Sequence, residues 1–464
     1  MEINRIDVIW NYLATFLKIA SSALLLPLIL RILPVEQVGI WAIFSSISAL
    51  IFLLDFGFNS SFTRNVTYVF SGVQVLQKEG ITSKENINSE VNFSLLAGIL
   101  NAMKWFYARV ALILLMLLLS IGTIYIKNIL VDYKGNSNEI FLAWFLFCVI
   151  NTYNLYTLYY DALLEGKGLI RVAKKITIIG NIIYLILATV LVLTGFGLIA
   201  LVSAQLISVV VIRLLSYRVF FTPFIKEKLS TNSHINTKEI LKSIYPNAFK
   251  YGVTSLGGFM IQRSSIFIGA TFLPLVAIAS FGITKQLIEV LTAVANITLV
   301  TYLPKIAKLR IDEDRNAIKA IYLRGIILSN AIFFCGCLVL FFIGPWVLSK
   351  IGSNTKLVES DVLIAVLFSA WIGLNAGISG AVISTKNVIP FLKPSLFSGI
   401  ATIFLLLFIF YFTDLGLLGM ALAPGLIDLC YQGWKWPYEV FKELNITMKD
   451  FGTSLRETFS KFKI

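Results

Sequence analysis

Apolar runs long enough to cross a bilayer recur twelve times along this chain, and that recurrence constrains the fold more than any motif does. A membrane-spanning helix needs about 20 predominantly apolar residues. The runs lie roughly at 8–32, 38–62, 103–126, 139–163, 174–195, 197–221, 244–271, 275–301, 319–344, 361–384, 391–413 and 416–438. With 58% of residues hydrophobic and 14% charged, only lipid can solvate the outer faces of so many apolar helices. The expected class is an all-α integral membrane protein with about twelve transmembrane helices.

The formal charge of +14 is placed by the linkers between runs. One alternating set is rich in Lys and Arg, among them Arg64, Lys78 and Lys84, then Lys167, Arg171, Lys174 and Lys175, then Lys305, Lys308, Arg310 and Arg315. The other set is poor in them. The positive-inside rule assigns the rich set to the cytosol, and an even span number then puts both termini there. No basic stretch interleaved with aromatics suggests nucleic-acid binding. Cys148, Cys335, Cys337 and Cys430 lie inside apolar runs and read as reduced packing residues. The single histidine, His234, gives no zinc-ligand set. The first run is too long for a signal-peptide core and lacks a cleavage pattern. The linkers near 63–102 and 222–243 are too short for a soluble catalytic domain.

The halves look related. A shift of 219 residues matches Lys167 to Lys386, Gly180 to Gly399, Thr194 to Thr413, Gly197 to Gly416 and Ala204 to Ala423. Spans six apart correspond, so two parallel six-helix lobes around a central cavity are expected. The divisions are an N-terminal lobe at 1–221, a cytosolic linker at 222–243, a C-terminal lobe at 244–438 and a basic tail at 439–464.

Ionisable groups at membrane depth are costly and usually mark pathways. Asn11, Thr15, Lys18 and Ser22 recur at helical spacing in the first run, and Lys285, Glu289, Thr292 and Asn296 repeat that spacing in the eighth. In the second run, Trp41, Ser45, Ser48, Phe52, Asp55 and Asn59 share one face that mixes an aromatic platform with hydrogen-bonding groups. In the seventh, Asn247, Tyr251, Thr254 and Ser265 align, with Lys250 on the shoulder. Arg263 falls nearly opposite, unless a kink at Gly257 and Gly258 re-aims it. Each group also has a plain structural reading. Lys18 can pair with Asp55, Lys285 with Glu289, and Lys250 can snorkel to the interface. Asp161, Asp414 and Arg324 lie at span ends, where packing roles are favoured. The tyrosines at 153, 156, 159 and 160 fit sugar stacking and an interfacial belt equally. Lys18, Lys250, Arg263 and Lys285 outnumber Asp55 and Glu289, which favours an anionic, phosphate-bearing ligand. Pro27, Pro424 and Gly425 are candidate hinges.

The opening segment reads Pro27-Leu-Ile-Leu-Arg31-Ile-Leu-Pro34-Val-Glu36-Gln-Val-Gly39-Ile-Trp41, then Leu54-Asp55-Phe-Gly57-Phe and Thr63-Arg64-Asn65. With the turn Glu165-Gly166-Lys167-Gly168, it resembles the Wzx-type polysaccharide flippases of the multidrug/oligosaccharidyl-lipid/polysaccharide (MOP) exporter superfamily. The resemblance implies a MATE-like fold in the bacterial inner membrane. It implies movement of an undecaprenyl-pyrophosphate-linked repeat unit, such as an O-antigen unit, from the cytosolic to the periplasmic leaflet. It further implies a cationic cavity lined by helices one, two, seven and eight, a role for Arg64 at the mouth, and as partners a polysaccharide polymerase and a chain-length regulator. No cofactor is expected, and coupling to H+ or Na+ is left open. The rival readings are a multidrug antiporter, which would favour acidic cavity residues, and a peptidoglycan-precursor flippase, which would commonly have extra spans. From another class comes a membrane glycosyltransferase or polymerase. Asp312-Glu313-Asp314 has the Asp-x-Asp form of some glycosyltransferases, yet it sits in a short basic loop with no domain around it.

Overall fold

A computed structural model describes residues 10, 24–74, 91–131, 133–231, 237–311, 313–386 and 390–460. The described chain is helices joined by turns. In order these are α1 (Val35–Leu53), α2 (Phe58–Phe70), α3 (Phe93–Ile129), α4 (Ser137–Gly166), α5 (Ile170–Leu193), α6 (Gly197–Phe220), α7 (Pro223–Thr231), α8 (Thr237–Gln262) and α9 (Ser264–Gly269). They continue with α10 (Leu275–Val300), α11 (Leu303–Ile311), α12 (Arg315–Lys350), α13 (Ser360–Ser384), α14 (Leu392–Phe412), α15 (Gly416–Cys430), α16 (Gln432–Glu443) and α17 (Met448–Ser460).

Among the described residues, eight helices are long and apolar enough to cross a membrane: α3 to α6, α10, and α12 to α14. They coincide with eight of the twelve expected spans. Of the other four, the run at 8–32 lies largely outside the described residues. The remaining three are interrupted. The run at 38–62 breaks at a turn, where Phe56 and Gly57 take positive φ. The run at 244–271 breaks at Arg263. The run at 416–438 stops at Cys430, and Tyr431 turns the chain into the amphipathic α16. The third span begins at Phe93 rather than at 103 because Asn92 caps it there, its side chain accepting from the Leu95 N–H at 2.9 Å. Asn136 and Asp314 start α4 and α12 the same way.

The chain divides into two compact units, Met1–Gln37 with Phe44–Ser255, and Val38–Ile43 with Leu256–Ile464. In the first, α6 packs on α5 and α4, and α2 on the end of α4. Gly180 lets α6 approach, with Ser208 Oγ donating to its carbonyl at 2.8 Å. In the second, α13 packs on α10, α15 and α16. Its core includes Leu299, Tyr322, Ile378, Val382 and Val440, each nearly fully buried. A methyl group on Gly257 would lie 2.4 Å from the Ser395 backbone, so glycine there sets how closely α8 approaches α14.

Two pairs of positions related by the 219-residue shift behave alike, whereas Thr194 and Thr413 differ in backbone conformation. Gly197 and Gly416 each open a helix with φ of +53° and +48°, a left-handed conformation that costs glycine least. Ala204 and Ala423 are both fully buried. A π-helical turn interrupts α3 at Leu118–Gly122 and α12 at Val339–Ile343, one in each unit.

Candidate functional site

In the second unit, three charged groups meet where α8 ends. The helix runs unbroken through Gly257 and Gly258 and stops at Gln262. Arg263, at φ −115° and ψ −20°, forms the joint before α9. The chain therefore breaks at Arg263 itself and not at the glycine pair. Arg263 Nη2 lies 2.7 Å from Glu289 Oε2 on α10. Lys285, one turn before Glu289, donates from Nζ to the Gln262 carbonyl. That carbonyl belongs to the last turn of α8, whose partners are missing along the helix and whose dipole end is negative. Glu289 thus pairs with Arg263 rather than with Lys285. Among the described residues no carboxylate forms an ion pair with Lys285, and its ammonium has three protons to donate.

The same face of α10 continues through Thr292, whose hydroxyl bonds back to Ile288 O at 2.8 Å, to Asn296, whose Oδ1 is buried without a hydrogen-bond partner. The N-terminal half of α10 carries a second guest. Val38–Ile43 belongs to this unit, and methyl groups on Gly39 and Gly282 would meet Leu275 O and Ala42 Cβ at 2.4 and 2.5 Å. The half-buried Trp41 therefore stands on a segment packed against the helix that carries Lys285.

The other expected residues have different settings. Asn11, Thr15 and Lys18 lie outside the described residues, as do the side chains of Asn247 and Lys250. Arg64 is exposed on α2 in the first unit. Asp55 has local work to do. Both carboxylate oxygens accept from the Asn59 N–H, at 3.0 and 3.1 Å, which starts α2, and Oδ1 also accepts from the buried Tyr107 hydroxyl at 2.6 Å. The turn at 54–57 interrupts the face expected to run from Trp41 to Asn59.

Two polar networks were not anticipated. In the first unit, Arg213 of α6 is 5% exposed; Nη1 meets Asp161 Oδ1 and Nη2 meets Asn154 Oδ1, both at 2.8 Å. Near it the tyrosine run packs on itself, with Tyr159 and Tyr160 ring centroids 4.5 Å apart and Tyr159 buried. In the second unit, Trp371 Nε1 donates to Asn330 Oδ1 at 2.7 Å, and Asn330 Nδ2 donates to Asn375 Oδ1 at 3.0 Å. Tyr322 shares a 2.9 Å hydrogen bond with Ser379. Trp371, Asn375 and Ser379 recur every four residues on α13, a stripe readable from the sequence.

No protein-family model matches the chain, and no curated protein matches it significantly. Several solved structures share its fold. A lipid II flippase, MurJ, in an inward closed conformation superposes with a TM-score of 0.64 at 13% identity, over 98% of this chain and 91% of that one. A multidrug resistance MATE family transporter of the MOP superfamily superposes in an inward-facing conformation with a TM-score of 0.61 at 14% identity, over 94% and 96%. An outward-facing conformation of such a transporter gives 0.51 at 13% identity, over 95% and 96%. The chain is thus a multi-pass helical protein with the fold of MOP-superfamily transporters.

Proposed function

We propose that this protein is a flippase for a lipid-linked oligosaccharide, carrying an undecaprenyl-pyrophosphate-linked repeat unit of a surface polysaccharide from the cytosolic to the periplasmic leaflet of a bacterial inner membrane by alternating access. The observation that supports this reading is the Lys285–Arg263–Glu289 cluster. Two cations face one carboxylate, with Lys285 and Glu289 on α10, a helix of membrane-spanning length, and Glu289 is already paired to Arg263 at the joint before α9. The remaining charge is that of Lys285. A lone ammonium at membrane depth is costly unless a ligand offsets it, and phosphate is its natural partner. Arg64 and Lys250 would receive the head group at the cytosolic mouth, Lys18 would join Lys285 in holding it, and Trp41 and the amides would face the sugars. A polysaccharide polymerase would then take the translocated unit.

The fold is shared with a multidrug resistance transporter as well as with a lipid II flippase. A drug antiporter suits cationic substrates, and the charge balance of this cluster opposes that choice. The test uses cells lacking the gene, with or without the restored protein. The leaflet that holds the single lipid-linked unit is read with an impermeant glycan-modifying reagent. Accumulation on the cytosolic side in the null strain, reversed by wild type, is the expected result. Units that reach the periplasmic side without the protein and stay unpolymerised would reject the flippase reading and favour a polymerase.

A further inference from the structure

The second unit contains a cleft of about 790 Å³, distinct from the charged cluster, between α12, the end of α10 and the C-terminal α17. Its wall on α12 includes Lys319, Arg324 and Leu328; Tyr302 and Lys305 contribute from the turn after α10 and from α11, and Ser454 from α17. Three cations and one carboxylate, Asp450, line it. Lys319 is paired with Asp450 at 2.6 Å. Lys305 and Arg324 are exposed and form no ion pair among the described residues. Among the described residues, two positive charges therefore face the cleft without an ion-pair partner.

The cleft also changes character along its length. Arg324 lies nine residues into α12, about 14 Å along the axis at about 1.5 Å per residue. Beyond it the helix is apolar, from Gly325 to Leu328 and again from Ala331 to Phe334. Arg324, Leu328, Cys335 and Leu338 recur at helical spacing on one stripe, and both Cys335 and Leu338 are exposed. A cationic head end thus opens onto an apolar track on a helix of membrane-spanning length. Basic pockets between helices at the membrane boundary suit anionic lipid head groups.

We propose that this cleft binds an anionic glycerophospholipid, with its phosphate between Arg324 and Lys305 and its acyl chains along the Leu328–Leu338 stripe. The bound lipid would join α12 to α17, which supplies Asp450 and Ser454 to the opposite wall. This inference does not depend on which substrate the protein carries.

The test is native mass spectrometry of delipidated full-length protein titrated with dioleoyl-phosphatidylglycerol or dioleoyl-phosphatidylcholine. Preferential phosphatidylglycerol adducts are expected. They should weaken roughly thirtyfold in Lys305→Gln/Arg324→Gln, about fivefold per cation removed. Arg324→Lys should retain most of the binding. Ala320→Trp, which fills the cleft from an exposed position without changing charge, should also abolish it. Millimolar inorganic phosphate should leave the adducts in place. Equal binding of the two lipids, or adducts that survive both the double variant and Ala320→Trp, would overturn the proposal. Displacement by inorganic phosphate would overturn it too, and would assign the cleft to a water-soluble phosphoryl ligand.

Discussion

Arg213 in the first unit and Lys285 in the second are both cations on helices of membrane-spanning length, yet their surroundings differ. Arg213 is buried; its two terminal nitrogens are matched by Asp161 and Asn154 at 2.8 Å, while Nε is buried without a hydrogen-bond partner. A guanidinium held this way has its counter-charge supplied by the protein itself. Among the described residues Lys285 has a neutral carbonyl as its one hydrogen-bond partner, while the nearby carboxylate is taken by Arg263. The first arrangement has its counter-charge without a ligand and the second does not. The difference teaches that depth in the membrane alone does not mark a binding residue. The decisive feature is whether the protein has already supplied the counter-charge.

The comparison breaks most readily at Arg213. Arg213→Ala removes two charge-assisted hydrogen bonds, about 3 kcal/mol together at about 1.5 kcal/mol each, and leaves Asp161, 39% exposed, to solvent. Thermal unfolding in detergent should shift down sharply, and transport should fall only in proportion to folded protein. A variant with normal stability and no transport would put Arg213 in the pathway instead. Tyr107→Phe tests the same idea on Asp55. It removes one hydrogen bond to a carboxylate, worth about 2 kcal/mol, and transport per folded molecule should be unchanged. Glu289→Gln sharpens the other side. Stability should move by less than about 1 kcal/mol, because the pair is partly exposed. Freed of its counter-ion, Arg263 should tighten binding of a polyprenyl pyrophosphate several-fold and slow its release. Weaker binding in a direct titration would contradict the assigned polarity.

The smallest effect concerns the C-terminal helices. Burial raises the Glu443 carboxyl, but hydrogen bonds and charges from Arg310 and Lys386 outweigh it and hold it below the usual glutamate range. The hydrogen bond from Lys319 and those from Thr447 hold Asp450 far below the aspartate range. A carboxyl depressed on folding contributes stability that is present above its unfolded value, about 4, and is lost as pH falls through its folded value. Protection from hydrogen exchange, taken relative to the intrinsic amide rate at each pH, should therefore fall in α16 and α17 as pH drops below about 4, with protection in α13 unchanged. Uniform behaviour of all three helices would show that these pairs do not fasten the tail.

Much of the fold was legible because a bilayer imposes length and composition together. The runs expected at 197–221, 275–301 and 361–384 match Gly197–Phe220, Leu275–Val300 and Ser360–Ser384 closely. The breaks at Phe56, Arg263 and Tyr431 were not legible. They occur within apolar stretches and are set by packing and backbone turns that hydropathy does not register. The i, i+4 relation of Lys285 and Glu289 could be read from spacing alone. Its outcome could not, since Arg263 arrives from another helix through a turn that the sequence suggests only as a kink elsewhere. Arg213 illustrates the same limit. Its partners Asp161 and Asn154 lie 52 and 59 residues away, and only the packing of α6 on α4 brings them together. Asn330 and Asn375 likewise meet across two helices.

The central claim, that Lys285 supplies the uncompensated charge that holds a pyrophosphate head group, is tested most directly in proteoliposomes. Wild type, Lys285→Ala and Lys285→Arg would be reconstituted at equal protein with a fluorescent polyprenyl-pyrophosphate glycan, and its transbilayer movement followed by an impermeant quencher. The account predicts that Lys285→Ala melts at the wild-type temperature and loses movement by about tenfold or more, as expected for removal of a charged contact, while Lys285→Arg retains part of it. A stable Lys285→Ala protein that moves the lipid at the wild-type rate would contradict the account.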